Sequence, residues 1–218
     1  MILINNIRRK LFWLVDFLNG ADVYKNYKEI KFLFENYFFP DAIKMRQTYL
    51  EGILNFARKN VPYYRQFSKG SFLEDFPVIN KNIIRDNQNL FFTDGFKLKK
   101  FHKVTTSGST GAPLTIWQDR KKRIRHTAEN IYFSELTGYI IGTRLYYLRV
   151  WNRVNKKSFF ESLLQNIVMV DASDLSERNF ELFLKEIERD SKTKSILAFS
   201  STFEALAQYI VRTSRKIR

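Results

Sequence analysis

The sequence predicts an α/β protein in which a helical amino-terminal segment is followed by βαβ layers. Three observations carry this. Apolar residues recur at helical spacing in positions 4–18 and again in 45–57, a strand–glycine loop–strand pattern occupies residues 98–117, and beyond Gly142 β-rich runs alternate with helical ones. That alternation is the pattern of a layered domain with a mainly parallel sheet. The change of character divides the chain into a helical region, residues 1–95, and an α/β region, residues 96–218.

Ile4, Ile7, Leu11, Leu14, Val15 and Leu18 lie at helical spacing and predict an amphipathic helix whose apolar stripe packs against the rest of the protein. The stretch imitates a signal peptide, with Arg8, Arg9 and Lys10 ahead of the apolar run. Asp16 interrupts that run, no small-residue cleavage site follows, and the run is far short of a membrane span. The expectation is therefore no export, no transmembrane helix and a cytoplasmic location. A second reading lays residues 1–20 on an anionic membrane with Trp13 at the interface.

A second helix starts at Pro40, with Asp41 as its cap and Met45, Tyr49, Ile53, Phe56 and Ala57 as its buried stripe. It stops near Asn60, because Val61 precedes Pro62 and pre-proline residues avoid the helical region. Residues 76–85 read as a turn and a short helix capped by Asn80.

Residues 98–105 and 114–117 read as strands joined by the glycine loop. Asp119 caps a long helix with Ile124, Ala128, Ile131 and Leu136 on one face, ending at Gly138, which suits a left-handed cap. Residues 145–151 and 167–170 are β-rich. Ser176 opens a helix burying Phe180, Phe183, Leu184 and Ile187; residues 195–199 form another strand; Ser201 caps the last helix, burying Phe203, Leu206 and Ile210.

Composition narrows the chemistry. The chain has 218 residues and 44% apolar content, enough for one large domain or two small ones with a core. The absence of cysteine excludes disulfides, thiolate metal sites and a cysteine nucleophile, and His102 and His126 are too few for a histidine-rich zinc site, so no metal site is expected. The 37 Lys+Arg against 22 Asp+Glu give a net charge of +15, which attracts nucleic acid, anionic lipid or phosphorylated ligands without choosing among them. Solvated faces account for most such charge runs. The alternative class is a basic nucleic-acid-binding protein or a membrane-associated scaffold, since basic grooves with stacking rings bind single strands. Against nucleic acid, the aromatics sit at core periodicities and no RNP1-like segment, zinc finger or recognition helix occurs.

The informative stretch is Thr106, Ser107, Gly108, Ser109, Thr110, Gly111, Ala112 and Pro113. Closely spaced glycines let the backbone approach a ligand so that several N–H groups converge on an anion, and the hydroxyls add donors suited to phosphate oxygens. The loop is not a Walker A loop: no Gly-Lys-Ser/Thr follows and it joins strand to strand. Lys81 and Arg85 on the short helix and His126 on the basic helix read as solvated surface, and Asp171 and Asp174 as turn and cap residues.

Residues 106–113 resemble the phosphate loop of the adenylate-forming enzymes, the acyl-CoA synthetase and luciferase superfamily, with its Ser/Thr-Gly-Ser/Thr-Thr-Gly-x-Pro pattern. The segments FARKNVPYYRQF (56–67), FPVINKNIIRDN (76–87) and TSGSTGAPLTIWQD (106–119) follow the order and rough spacing of phenylacetate-CoA ligase-like proteins. Residues 195–210, SILAFSSTFEALAQYI, resemble the strand and helix after the first βαβ unit of that family. Within that family the segments most resemble the CapK group, associated with capsular and other surface polysaccharide gene clusters.

The resemblance implies an incomplete adenylate-forming ligase domain. In the family a carboxylate attacks the α-phosphorus of ATP, pyrophosphate leaves, and a thiol such as coenzyme A or another nucleophile takes the acyl group. Thr106, Ser107, Gly108, Ser109, Thr110 and Gly111 would then hold the β and γ phosphates while Mg²⁺ screens their charge. Many family members carry a lysine in or beside the loop; here the neighbours are Ala112 and Leu114. The family's Tyr-Gly-x-Thr-Glu-like motif, its ribose-binding aspartate and its carboxy-terminal lid lysine have no counterpart after the loop. The resemblance thus implies a truncated ligase whose present chain binds nucleotide weakly and does not turn it over.

Overall fold

The computed structural model describes residues 2–67, 72–97, 100–106, 113–153, 155–190 and 194–215. In chain order its elements are α1 (Ile2–Leu18), α2 (Asp22–Glu35), α3 (Pro40–Asn60), α4 (Pro62–Arg65), α5 (Lys81–Asp86), β1 (His102–Thr105), β2 (Thr115–Gln118), α6 (Arg120–Leu136), β3 (Arg144–Arg149), α7 (Phe159–Gln165), β4 (Ile167–Asp171), α8 (Glu177–Arg189), β5 (Lys194–Leu197) and α9 (Ser200–Arg212). The architecture is mixed α/β. Two compact units divide it: residues 1–22 with 130–218, and residues 23–129.

The first unit is built on a parallel sheet of order β4-β3-β5, the sheet type that the strand–helix alternation predicts. Tyr146 and Leu148 alternate along β3 and point to one face, where Phe180, Phe183, Leu184 and Ile187 of α8 and Leu206 and Tyr209 of α9 meet them. All four α8 residues read from the sequence are buried. In α9 Leu206 is buried and Ile210 packs against the core, but Phe203 is 40% exposed and Thr202 and Tyr209 take the inward positions.

Helix starts follow the chemistry unevenly. Ser158 forms a reciprocal capping box with Glu161 at the start of α7, a helix that its short apolar run did not announce. Ser176 stands at the cap of α8 without a side-chain cap bond; its hydroxyl donates to Asp174 Oδ2 instead. Ser201 lies inside α9, whose cap position is Phe199. Asn166, at φ +56°, ends α7 in the left-handed conformation, and its amide donates to the Gly142 carbonyl at 3.0 Å.

Tyr146 links β3 to the end of α8: its hydroxyl donates to Asp190 Oδ2 at 3.0 Å. Burial, then the hydrogen bond and charge of Asp190, push its pKa from 10.0 up to about 12. The folded state therefore keeps a proton that the unfolded chain loses above pH 10, so this stabilisation is whole below pH 10 and disappears as pH rises through 12. Denaturant unfolding should show the protein losing about 2 kcal/mol more than Tyr146→Phe between pH 9 and 12; parallel losses would contradict the assignment.

The predicted first helix forms, with its faces reversed. Ile4, Ile7, Leu11, Leu14, Val15 and Leu18 are exposed, whereas Asn5, Arg8, Phe12, Trp13 and Asp16 are the half-buried positions. Gly142 explains the contact: at φ +93°, a Cβ there would lie 2.6 Å from the Asn5 carbonyl oxygen and 3.0 Å from Arg8 Cβ. Only a glycine lets this turn approach α1 so closely.

The second unit holds α2, with Ile30 and Leu33 buried, then α3 to α5, the β1–β2 pair and the first part of α6. Pro40 occupies the first turn of α3 and Phe39 its cap position, with no side-chain cap bond, so Asp41 is a first-turn acid rather than the cap. Tyr49, Ile53 and Phe56 of the predicted stripe are exposed, and the inward positions are Ala42, Met45, Leu54 and Ala57. Asn80 caps α5 as expected, accepting from the Asn82 and Ile83 amides, and Asp119 accepts from Lys122 N at 2.6 Å at the start of α6. Leu136 of α6 is exposed and Tyr132 is buried in its place, while Gly138 adopts φ +87° beyond the helix end.

Candidate functional site

β1 and β2 pair antiparallel, with Thr105 opposite Thr115, Val104 opposite Ile116, Lys103 opposite Trp117 and His102 opposite Gln118. Strand-forming residues on both sides of a glycine loop make this a hairpin rather than a crossover. Its mouth is closed by three bonds. Thr106 N donates to the Leu114 carbonyl at 2.9 Å, Leu114 N donates to Thr106 Oγ1 at 3.0 Å, and the Thr105 and Thr115 hydroxyls lie 3.1 Å apart.

Thr106 therefore serves the hairpin's closure. Ser107, Gly108, Ser109, Thr110 and Gly111, the remaining residues of the predicted phosphate loop, lie outside the described residues. What the structure supplies is their frame: both ends of the segment, Thr106 and Leu114, are held in register by the bonds above.

Paired residues of an antiparallel ladder share a face. Lys103, Thr105, Thr115 and Trp117 consequently line one side of the hairpin. Lys103 is exposed there, a cation that reading the loop's immediate neighbours had missed. The period-two alternation of β1, taken with the register, was the signal that could have found it. Between Lys97 and Arg125 every charged residue except Asp119 is basic, so the hairpin sits in a stretch that favours anions.

Beside the hairpin is a cavity of about 380 Å³, within the size range of small-ligand sites. Phe92, Phe96, Phe101, Trp117, Thr115 and Asp119 contribute to its wall. The rings brace one another: Phe92 stacks on Phe96 at 4.3 Å, Phe96 meets Phe101 at 4.4 Å, and Trp117 stands edge-on to Phe92 at 5.1 Å. Offset and edge-to-face contacts of this kind hold aromatic walls in place. Gln88 Nε2 reaches the Thr115 carbonyl at 3.4 Å and ties the cavity wall to β2. The sequence did not suggest this convergence, because Phe92, Phe96 and Phe101 come from the irregular segment before β1.

Arg125 of α6 binds Glu29 of α2 at 2.6 Å and lies 3.5 Å from Glu129. Burial and the Glu29 hydrogen bond together raise the Tyr49 hydroxyl above its ordinary value. Part of the basic charge of α6 is thus matched internally.

The other singled-out residues have structural roles. Asp171 Oδ1 accepts from Ser173 N and Asp174 Oδ1 from Ser176 N, both at turns. His126 is exposed, 3.7 Å from Glu129; Lys81 is exposed, and Arg85 donates to Asn82 Oδ1 at 2.5 Å. Among the described residues no group of His, Asp or Glu is placed to hold a metal ion, and no helix is long and apolar enough to cross a membrane.

Comparison with known proteins adds one relationship. No protein-family model and no solved structure matches the chain. It is 24% identical over 200 residues to Protein CapK of Staphylococcus aureus, an alignment covering 85% of this chain and 43% of that relative. The chain spans less than half the length of the relative, and the similarity supports a CapK-like relationship along most of the chain.

Proposed function

We propose that the β1–β2 hairpin is the polyphosphate-holding element of an ATP-dependent, carboxylate-activating protein linked to capsular or other surface polysaccharide synthesis. The observation that carries the reading is the hairpin itself: a hydroxyl- and glycine-rich segment clamped at Thr106 and Leu114 within a basic surround. The relationship to CapK supports the link to capsule.

In this reading Thr106, Ser107, Gly108, Ser109, Thr110 and Gly111 frame the β and γ phosphates, with amides and hydroxyls as donors. Thr106 contributes through its hold on Leu114. Lys103 supplies the cation that the loop lacks. Since the described residues present no carboxylate cluster for a metal, Mg²⁺ would arrive on the nucleotide, held by phosphate oxygens and water. In the reaction proposed, a carboxylate oxygen bonds to the α-phosphorus of ATP and the bond to the bridging oxygen breaks, releasing pyrophosphate. Coenzyme A is one candidate acceptor of the acyl group.

The aromatic cavity at the same hairpin would receive the flat or apolar part of the bound ligand. Calorimetric titration with Mg·ATP tests the face assignment. Lys103→Ala should weaken binding about three- to tenfold, more strongly at low salt; an unchanged affinity would remove this hairpin face from the site.

A further inference from the structure

We infer that α1 is an anchor for an anionic bilayer surface, laid along it by Ile4, Ile7, Leu11, Leu14, Val15 and Leu18. These residues are between 40% and 73% exposed, and they form one continuous stripe on a 17-residue helix. The orientation is imposed by the fold. The adjoining side, from Arg8 at the stripe's edge round to Asn5, is the one that Gly142 approaches too closely for any side chain to intervene.

Charge identifies the occupant. At about 100° per residue, Arg8 borders the stripe beside Ile4 and Val15, and Lys10 borders it beside Leu14. Asp16, the lone acid of α1, lies on the half-buried side. An apolar stripe edged on both sides by long basic side chains matches acyl chains below and anionic headgroups at the rim, since Arg and Lys stems lie along apolar surface while their heads stay at the polar boundary. A second copy would bring like-charged edges together on chains of net charge +15, and nucleic acid would have no use for the aliphatic stripe. Trp13, half-buried on the other side, is not the interfacial residue. The helix lies on the bilayer, being too short and too charged to cross it.

The absence of cysteine gives a clean probe: Leu11→Cys in the full chain carries one environment-sensitive dye. Vesicles of phosphatidylcholine with phosphatidylglycerol should blue-shift the dye and float the protein, pure phosphatidylcholine should do neither, and added salt should weaken binding. Ile7→Ser, Leu11→Ser and Leu14→Ser together should lower partitioning at least tenfold (~10-fold) while leaving the far-ultraviolet spectrum unchanged. The inference is overturned if the unsubstituted chain fails to float with anionic vesicles, or if the triple variant floats equally well. It is also overturned if the stripe instead drives dimerisation that the triple variant abolishes, which would assign the face to a second copy. None of these outcomes bears on Mg·ATP binding by the hairpin.

Discussion

Leu184→Ala is expected to destabilise the sheet unit by about 3 kcal/mol, lowering the urea midpoint of its unfolding by about 1–2 M. Leu184 is 1% exposed and lies in the cluster with Tyr146, Phe180 and Leu206, so the lost methyl groups leave a cavity that neighbouring rings cannot readily fill. Leu182, two residues away on the same helix, is 56% exposed. Leu182→Ala should therefore cost no more than about 0.5 kcal/mol. Equal effects of the two substitutions would contradict the register of α8 against the sheet.

Gly108→Val combined with Gly111→Val is expected to lower Mg·ATP affinity at least tenfold (~10-fold) with little change in the urea midpoint. The proposed holder depends on amides approaching phosphate oxygens, and β-branched side chains at these positions obstruct that approach. The closing bonds at Thr106 and Leu114 lie outside the substituted positions, so the frame should persist. Calorimetric titration measures the affinity, and circular dichroism checks the fold. A variant that stays folded and binds Mg·ATP as tightly as the parent would show that the loop does not hold the nucleotide.

Legibility varied with the kind of signal. The four inward residues of α8 were readable because one narrow stripe meets one sheet face, and Asn80, Asp119 and Gly138 because each performs a local task needing no distant partner. Periodicity in α1 and α3 correctly gave helices, but the stripe of α1 faces outward and in α3 only Met45 and Ala57 of the predicted stripe point inward. A stripe defines a face, while the tertiary partner decides whether that face is covered; on α1 the steric demand at Gly142 selected the other side. The starts of α3 and α9 depart from the polar-cap rule, with Phe39 and Phe199 at the cap positions. In α3 the fixed φ of Pro40 accounts for the start; for α9 no side-chain reason is evident. The hairpin at residues 102–118 followed from two short β-rich runs around a glycine loop. The aromatic cavity required Phe92, Phe96 and Phe101, from the segment before β1, to converge on Trp117 of β2, a convergence that depends on the folded path of the chain.

The most direct test of the polyphosphate-holding hairpin is calorimetric titration of the chain with Mg·ATP, repeated in the presence of pyrophosphate and then of AMP. Saturable binding with a Kd of about 1 mM or tighter, displaced by pyrophosphate but hardly by AMP, is the predicted result if, as proposed, the hairpin holds the β and γ phosphates. Absence of saturable binding, or displacement by AMP as readily as by pyrophosphate, would contradict it.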